Sequence, residues 1–225
     1  LYLPGAIAAA VRAFREHPEA GLLFSDVRSI DENGKTFNIM KYGNWQLEDL
    51  MAFNIIGQPG VFLRRAVLEK AGGLDLRYHY LLDHHLWLRV AQHAPLQYFP
   101  EEWAAARIHP AAKNVAHAPR FGEEAYRIVE WMGQEPALQV KFQSNRRRIL
   151  AGTHRFNARY LLDGGQAWPS LRSYTRSLFS HPPTALKEWK RMLYCFASLL
   201  GLGKIKDWIM ARRRQRFQST DHASQ

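Results

Sequence analysis

Apolar positions alternate between helical and strand spacing over the first half of this chain, and keep helical spacing alone over the second. Ile7, Ala10, Val11 and Phe14 recur at three- and four-residue intervals behind Pro4, which suits a first helical turn, and His17-Pro18 closes that helix. Leu22-Leu23-Phe24 predicts a buried strand, and Asp31-Glu32-Asn33-Gly34-Lys35 a hairpin tip. Asn44 is positioned to cap a short helix through Leu47, Leu50 and Met51. Val61-Phe62-Leu63 predicts another strand, preceded by Gly57-Gln58-Pro59-Gly60, whose glycines allow a sharp turn or close approach to a ligand. A helix over 64–71 is closed by Gly72-Gly73. Leu82, Leu86 and Val90 then share one face of a further helix; 96–99 predicts a strand and 103–109 extended chain. This alternation predicts an α/β layer structure.

From about Phe121 onward only helices are expected: 123–132, 137–162 stopped by Gly164-Gly165, and one opening at Trp168-Pro169-Ser170 and ending at His181-Pro182-Pro183. The chain therefore divides into an α/β part, 1–118, and a helical extension, 119–225. Charge sharpens that division. Residues 1–140 hold 14 Lys and Arg against 16 Asp and Glu, whereas 141–216 hold 17 against 3, so the formal net charge of +11 belongs to the extension. Cys195 is the single cysteine, which excludes a disulfide framework and a cysteine-based zinc site and fits a reducing, cytoplasmic compartment. No apolar run is long enough to span a bilayer. The chain opens without an initiator Met or signal peptide, and the expectation is a piece of a longer protein.

The stretch Gly72-Gly73-Leu74-Asp75 to Arg89 carries the candidate chemistry. Asp83 falls where its helix should begin. A carboxylate there caps free N–H groups, is kept ionised by the positive helix end, and at a cleft rim serves as a general base. A plain N-cap on a packed helix is the competing reading. His84 and His85 are adjacent, so they point about 100° apart and do not form the i, i+4 pair of a zinc helix. His84 is expected at the acceptor site or in solvent. Trp87 and Arg89 are expected at the substrate, or in core packing and an ion pair with a nearby carboxylate. Gln58 and Gly60 are expected beside the helix of Asp83, and Asp26 is either structural or a lesser lining residue.

Gln58-Pro59-Gly60-Val61-Phe62-Leu63-Arg64-Arg65, Gly72-Gly73-Leu74-Asp75, Leu82-Asp83-His84-His85-Leu86-Trp87-Leu88-Arg89 and Arg107-Ile108-His109-Pro110 occur in that order. The ordered set resembles the second half of family 2 glycosyltransferases with a GT-A, Rossmann-like fold. Leu1-Tyr2-Leu3-Pro4-Gly5-Ala6 is similar to the segment that follows the family's metal-binding Asp-x-Asp motif. His17-Pro18-Glu19-Ala20, Leu22-Leu23-Phe24-Ser25-Asp26 and Asp31-Glu32-Asn33-Gly34 fit the same region. The resemblance covers roughly residues 1–114, about half the chain.

The resemblance implies an inverting transferase that moves a sugar from a nucleotide-diphosphate donor to an acceptor hydroxyl, in cell-envelope or other glycan synthesis. The acceptor is a glycan or a lipid-linked molecule. Asp83 falls on the family's base position, with Leu82 where the family often has a first acidic residue. Arg107 and His109 correspond to a loop near the diphosphate, where His109 is either a phosphate or metal contact or a surface histidine before Pro110. Ala111-Ala112-Lys113-Asn114 replaces the small hydroxylated residues the family usually has there. A divalent ion, Mg²⁺ or Mn²⁺, is implied and held mainly by residues upstream of Leu1. The chain is then an acceptor half that does not turn over alone.

Lys187, Lys190, Arg191, Lys204, Lys206 and Arg212-Arg213-Arg214 are interleaved with Trp189, Leu193, Phe196 and Trp208. Over 186–217 this predicts a basic amphipathic segment that contacts the inner face of a membrane peripherally, or a solvated helix packed on the α/β part. A non-catalytic basic module binding membrane or nucleic acid is the rival function. No nucleic-acid motif accompanies Arg146-Arg147-Arg148, so nucleic acid is the less favoured partner.

Overall fold

Strand β1 (Leu22–Ile30) is buried along nearly its whole length, and the sheet is built on it. The structure, a computed structural model, describes residues 1–108 and 118–201. On one edge β1 pairs in parallel with β4 (Leu96–Arg107). On the other it pairs antiparallel, first with β3 (Val61–Leu63) and then with β2 (Thr36–Met40). The protein is therefore α/β with a mixed four-stranded sheet. The β1–β2 hairpin turns where expected: the Asp31 carboxylate accepts the N–H groups of Asn33 and Lys35 at 2.9 and 2.8 Å, and Gly34 takes φ 83°. The expected strand at 96–99 and extended chain from 103 are one 12-residue strand. Pro100 sits where its register against β1 shifts, so a bulge absorbs the residue that cannot donate to the ladder.

Helix α1 (Ala6–Glu16) covers one face of the sheet with Ala10 and Phe14 of the predicted stripe, but not with Ile7 and Val11. Ala6, Ala10 and Ala13 pack with Leu23 and Trp103, while Ile7 and Val11 are 61% and 47% exposed. Phe62, Phe99 and Trp103 fill this face with rings, so alanine methyls fit beneath the helix.

The opposite face carries α2 (Leu47–Met51), α3 (Arg65–Ala71) and α4 (Leu82–Val90). Gln46, not Asn44, is the residue that caps α2. Its side chain also pairs with Leu96, donating to the carbonyl at 2.7 Å and accepting the N–H at 3.2 Å, which ties α2 to β4.

The helical part comprises α5 (Ala118–Gln134), α6 (Gln139–Asp163), α7 (Ala167–Ser180), α8 (Pro182–Ala185) and α9 (Trp189–Leu199). Phe121, Ile128, Met132, Phe142, Ile149 and Phe156 belong to the same core as Leu22, Phe24, Leu88 and Leu96, so the first two of these helices share the core of the sheet. A second, small core gathers Ala158, Leu162, Tyr174 and Cys195. No described helix is long and apolar enough to cross a membrane.

Candidate functional site

The site begins with the loop that delivers α4. Leu81 stands at the N-cap and supplies no side-chain bond, so the N–H groups entering the helix need an acceptor from elsewhere. Glu124 on α5 provides it: its buried carboxylate accepts N–H bonds from His79, Tyr80 and Leu81 at 2.7, 2.8 and 2.9 Å. At the other end of the loop, the Arg89 guanidinium donates to the carbonyls of Ala71 and Gly73 at 2.8 and 2.6 Å. Arg89 is thus engaged by the end of α3, not by the carboxylate partner expected for it.

Asp83 is the second residue of α4, two positions after the Leu81 N-cap, and so is not the cap expected of it. Its Oδ1 accepts the His84 N–H at 2.7 Å. No side chain among the described residues bonds its carboxylate. Burial raises its pKa above the usual value and outweighs these backbone bonds. This departs from the sequence argument, in which the positive helix end keeps the group readily ionised.

Asp83 borders a cleft of about 730 Å³ with Gln58, Leu63, Leu74, Tyr80, Trp87 and Phe121 among its lining residues. Among the described lining residues it is the one carboxylate, and leucines and aromatics make up most of the wall. Gln58 and Trp87 also border an adjoining hollow with Leu1, Tyr2 and Phe62. Trp87 belongs to the core and to the cleft at once, with its Nε1 buried and unpartnered among the described residues.

The Gln58 turn is held against β1 by a chain of bonds. Tyr98 Oη and the Tyr42 N–H donate to Asp26 Oδ1 at 2.7 and 3.0 Å, and the Gly57 N–H donates to Tyr42 Oη at 3.1 Å. Burial pushes the Tyr42 phenol up to about 12, so it stays protonated. Asp26 is therefore the structural anchor of the turn and not a lining residue of this cleft. Gly60 serves the same packing: a Cβ there would lie 2.8 Å from Ser25 Oγ and 3.0 Å from the Ser25 carbonyl. The close approach expected of this glycine is to β1. Tyr42 and Glu124 had no spacing signal in the sequence.

His84 does not border the cleft. It is fully buried, its ring 5.2 Å from that of Phe53, and neither ring nitrogen has a hydrogen-bond partner among the described residues. The Leu50 backbone lies close enough to favour protonation slightly, but outside hydrogen-bond geometry. Burial lowers the His84 pKa to about 3 and that of His85 to about 4. His85 packs edge-on against Trp131, with ring centroids 4.4 Å apart. With residues 83 and 84 about 100° apart on a helix, turning Asp83 to the cleft turns His84 to the core. Arg107 donates to the carbonyls of Asp31 and Glu32 and braces the hairpin tip; it does not line the Asp83 cleft. His109 lies outside the described residues, and among those described no group of three or more His, Cys, Asp or Glu could hold a metal ion.

No family model matches the chain, and no curated protein matches it. The chemistry of the cleft itself is what remains: a carboxylate of raised pKa on a fixed helix turn, facing an apolar space beside an amide side chain. Such a group accepts a proton from a bound hydroxyl.

Proposed function

We propose that this chain is the acceptor half of an inverting glycosyltransferase of the GT-A type, with Asp83 as general base. The observation that carries the reading is the convergence of Asp83 from α4 and Gln58 from the β3 turn on one cleft. The order of motifs in the sequence supports the same assignment.

The residues act in distinct ways. Gln58 orients the acceptor by hydrogen bonding, and Trp87 and the leucines hold its less polar part and exclude water. Asp83 takes the hydroxyl proton as the oxygen attacks the anomeric carbon, the bond from that carbon to the diphosphate oxygen breaks, and the nucleoside diphosphate leaves with the bonding electrons. The raised pKa of Asp83 makes it a stronger base than an exposed carboxylate while leaving it ionised when the pH exceeds that value. The donor's nucleotide and any divalent ion would be held, under this reading, by residues upstream of Leu1, where the ion would neutralise diphosphate charge.

The test is made on the product of the complete gene. Asp83→Asn should lower sugar transfer by about 10²-fold or more, the usual contribution of a positioned base, while donor affinity stays unchanged. The pH profile should rise through an ionisation above the ordinary carboxylate value of about 3.9 and lose that limb in the variant. Transfer that persists in Asp83→Asn would remove Asp83 from the role.

A further inference from the structure

We propose that the outward face of α9 docks on an anionic lipid surface. The proposal rests on α9 alone and is independent of the Asp83 cleft.

The orientation of α9 is fixed by its inward side. Cys195 is fully buried, with its Sγ 3.2 Å from the Ala167 carbonyl. Arg191 pairs with Asp163 at 3.0 Å, and Glu188 accepts the Tyr174 hydroxyl at 3.0 Å. These contacts leave Trp189, Leu193, Phe196 and Leu200 facing outward, 52%, 61%, 56% and 65% exposed. Intervals of four, three and four residues place them on one stripe about 60° wide. A contiguous apolar patch of this kind on a soluble surface marks a place where something docks.

Charge decides what docks. Residues 139–201 hold 11 Lys and Arg against only two acidic residues, Asp163 and Glu188. Both of these are engaged, by Arg191 and by Tyr174. Lys190 is exposed beside the stripe, with its Nζ 5.6 Å from the centre of the Trp189 ring. An anionic bilayer meets both requirements together. Its headgroups take the cations, and its acyl boundary takes Trp189, Leu193 and Phe196. Nucleic acid would neutralise the cations but leave Leu193 and Phe196 in water. A second copy would bring like charges face to face, and residues 202–225 of the same chain carry further cations of the same sign.

The experiment uses the full 225-residue chain with vesicles of phosphatidylcholine alone or mixed with phosphatidylglycerol, read by flotation and by tryptophan emission. Expected is binding to the mixed vesicles only, weakened by salt, with a blue shift of emission. Leu193→Glu/Phe196→Glu should abolish flotation while far-UV circular dichroism stays unchanged, because both side chains are exposed. Lys190→Glu should weaken binding by about tenfold. Failure to bind the mixed vesicles overturns the proposal. So does binding that the stripe variant leaves intact, or a dimer in sedimentation that the stripe variant dissociates. Salt-sensitive capture by RNA or DNA with no response to vesicles overturns it as well.

Discussion

At the scale of single residues, α4 carries a carboxyl group and two imidazoles whose burial works in opposite directions with pH. Asp83 has a raised pKa, so its ionised form is less favourable in the fold than in the unfolded chain. That cost is fully present above the folded pKa, fades as pH falls through it, and is gone below the unfolded value of about 3.9. Asp83→Asn should therefore raise Tm at pH 7, and the gain should vanish in acid; a lower Tm at pH 7 would show the ionised group to be a net stabiliser. His84 and His85 behave in the reverse sense. Their folded pKa values of about 3 and about 4 lie below the free histidine value of about 6.5, so their stabilisation is complete above 6.5 and declines as pH falls toward the folded values. Each costs about 1.4 kcal/mol per pH unit in that window. His84→Phe keeps a ring against Phe53 and removes two unpartnered nitrogens. It should leave stability at pH 8 equal or higher by about 1 kcal/mol, and move the acid-unfolding midpoint to lower pH in a circular-dichroism titration. Asp83 was legible in the sequence because it opens a periodic helix behind Gly72-Gly73. The inward turn of His84 follows from helix geometry once Asp83 is placed. The raised pKa of Asp83 was not legible, since it arises from walls such as Leu63, Leu74 and Phe121 that come from three other segments.

At the scale of elements, the entry to α4 depends on a side chain from α5. Glu124 bonds N–H groups 43 to 45 residues before it. Hydrogen bonds to a carboxylate contribute about 1–3 kcal/mol each. Glu124→Ala should therefore destabilise the fold by about 3 kcal/mol or more, and amide exchange at 79–81 should accelerate more than exchange in β1. Equal acceleration in both places would mean that Glu124 supports the core generally, not this loop. Nothing in the local pattern announces the role, because a glutamate on an amphipathic helix reads as a solvated position. Glycine and proline punctuation, by contrast, located most elements well: Gly72 ends α3, Gly34 turns the hairpin and Gly164-Gly165 follows α6. The face of α1 was half legible: Ala10 and Phe14 pack as expected, whereas Ile7 and Val11 do not, for a physical reason. Apolar size predicts burial only where the partner surface leaves room, and against Trp103 and Leu23 the alanines fit.

At the scale of the whole molecule, the α/β part and the helices that follow residue 118 share one packed core. Phe121 closes the Asp83 cleft, Glu124 holds the loop before it, and the core runs without interruption from Leu22 to Phe156. Helix α6 adds a backbone contact: a Cβ at Gly152 would lie 2.0 Å from the Ala52 carbonyl oxygen. Beside it the Arg155 guanidinium donates to the Phe53 carbonyl and Asn54 Oδ1 at 3.1 and 3.0 Å, gathering the chain that leaves α2, where Phe53 adopts φ 56°. A basic composition and a shared core are compatible because most cations, Arg146, Arg147 and Arg159 among them, are exposed on helices whose inner faces carry Phe142, Ile149 and Phe156; Arg155 is the buried exception. If this packing sets the folding unit, urea unfolding should be a single transition, with tryptophan emission and far-UV ellipticity coincident. A chain of residues 1–118 should lack a cooperative transition, since it loses the partners of Leu88, Leu50 and Phe53 and leaves the N–H groups of 79–81 without Glu124. Gly152→Ala probes the same interface with one methyl group. It must push α6 away from Ala52, and should lower stability by about 1–3 kcal/mol without splitting the transition. Two separated transitions in the parent chain, or a cooperative fold for 1–118, would instead make the helical part an accessory that a self-sufficient α/β domain carries.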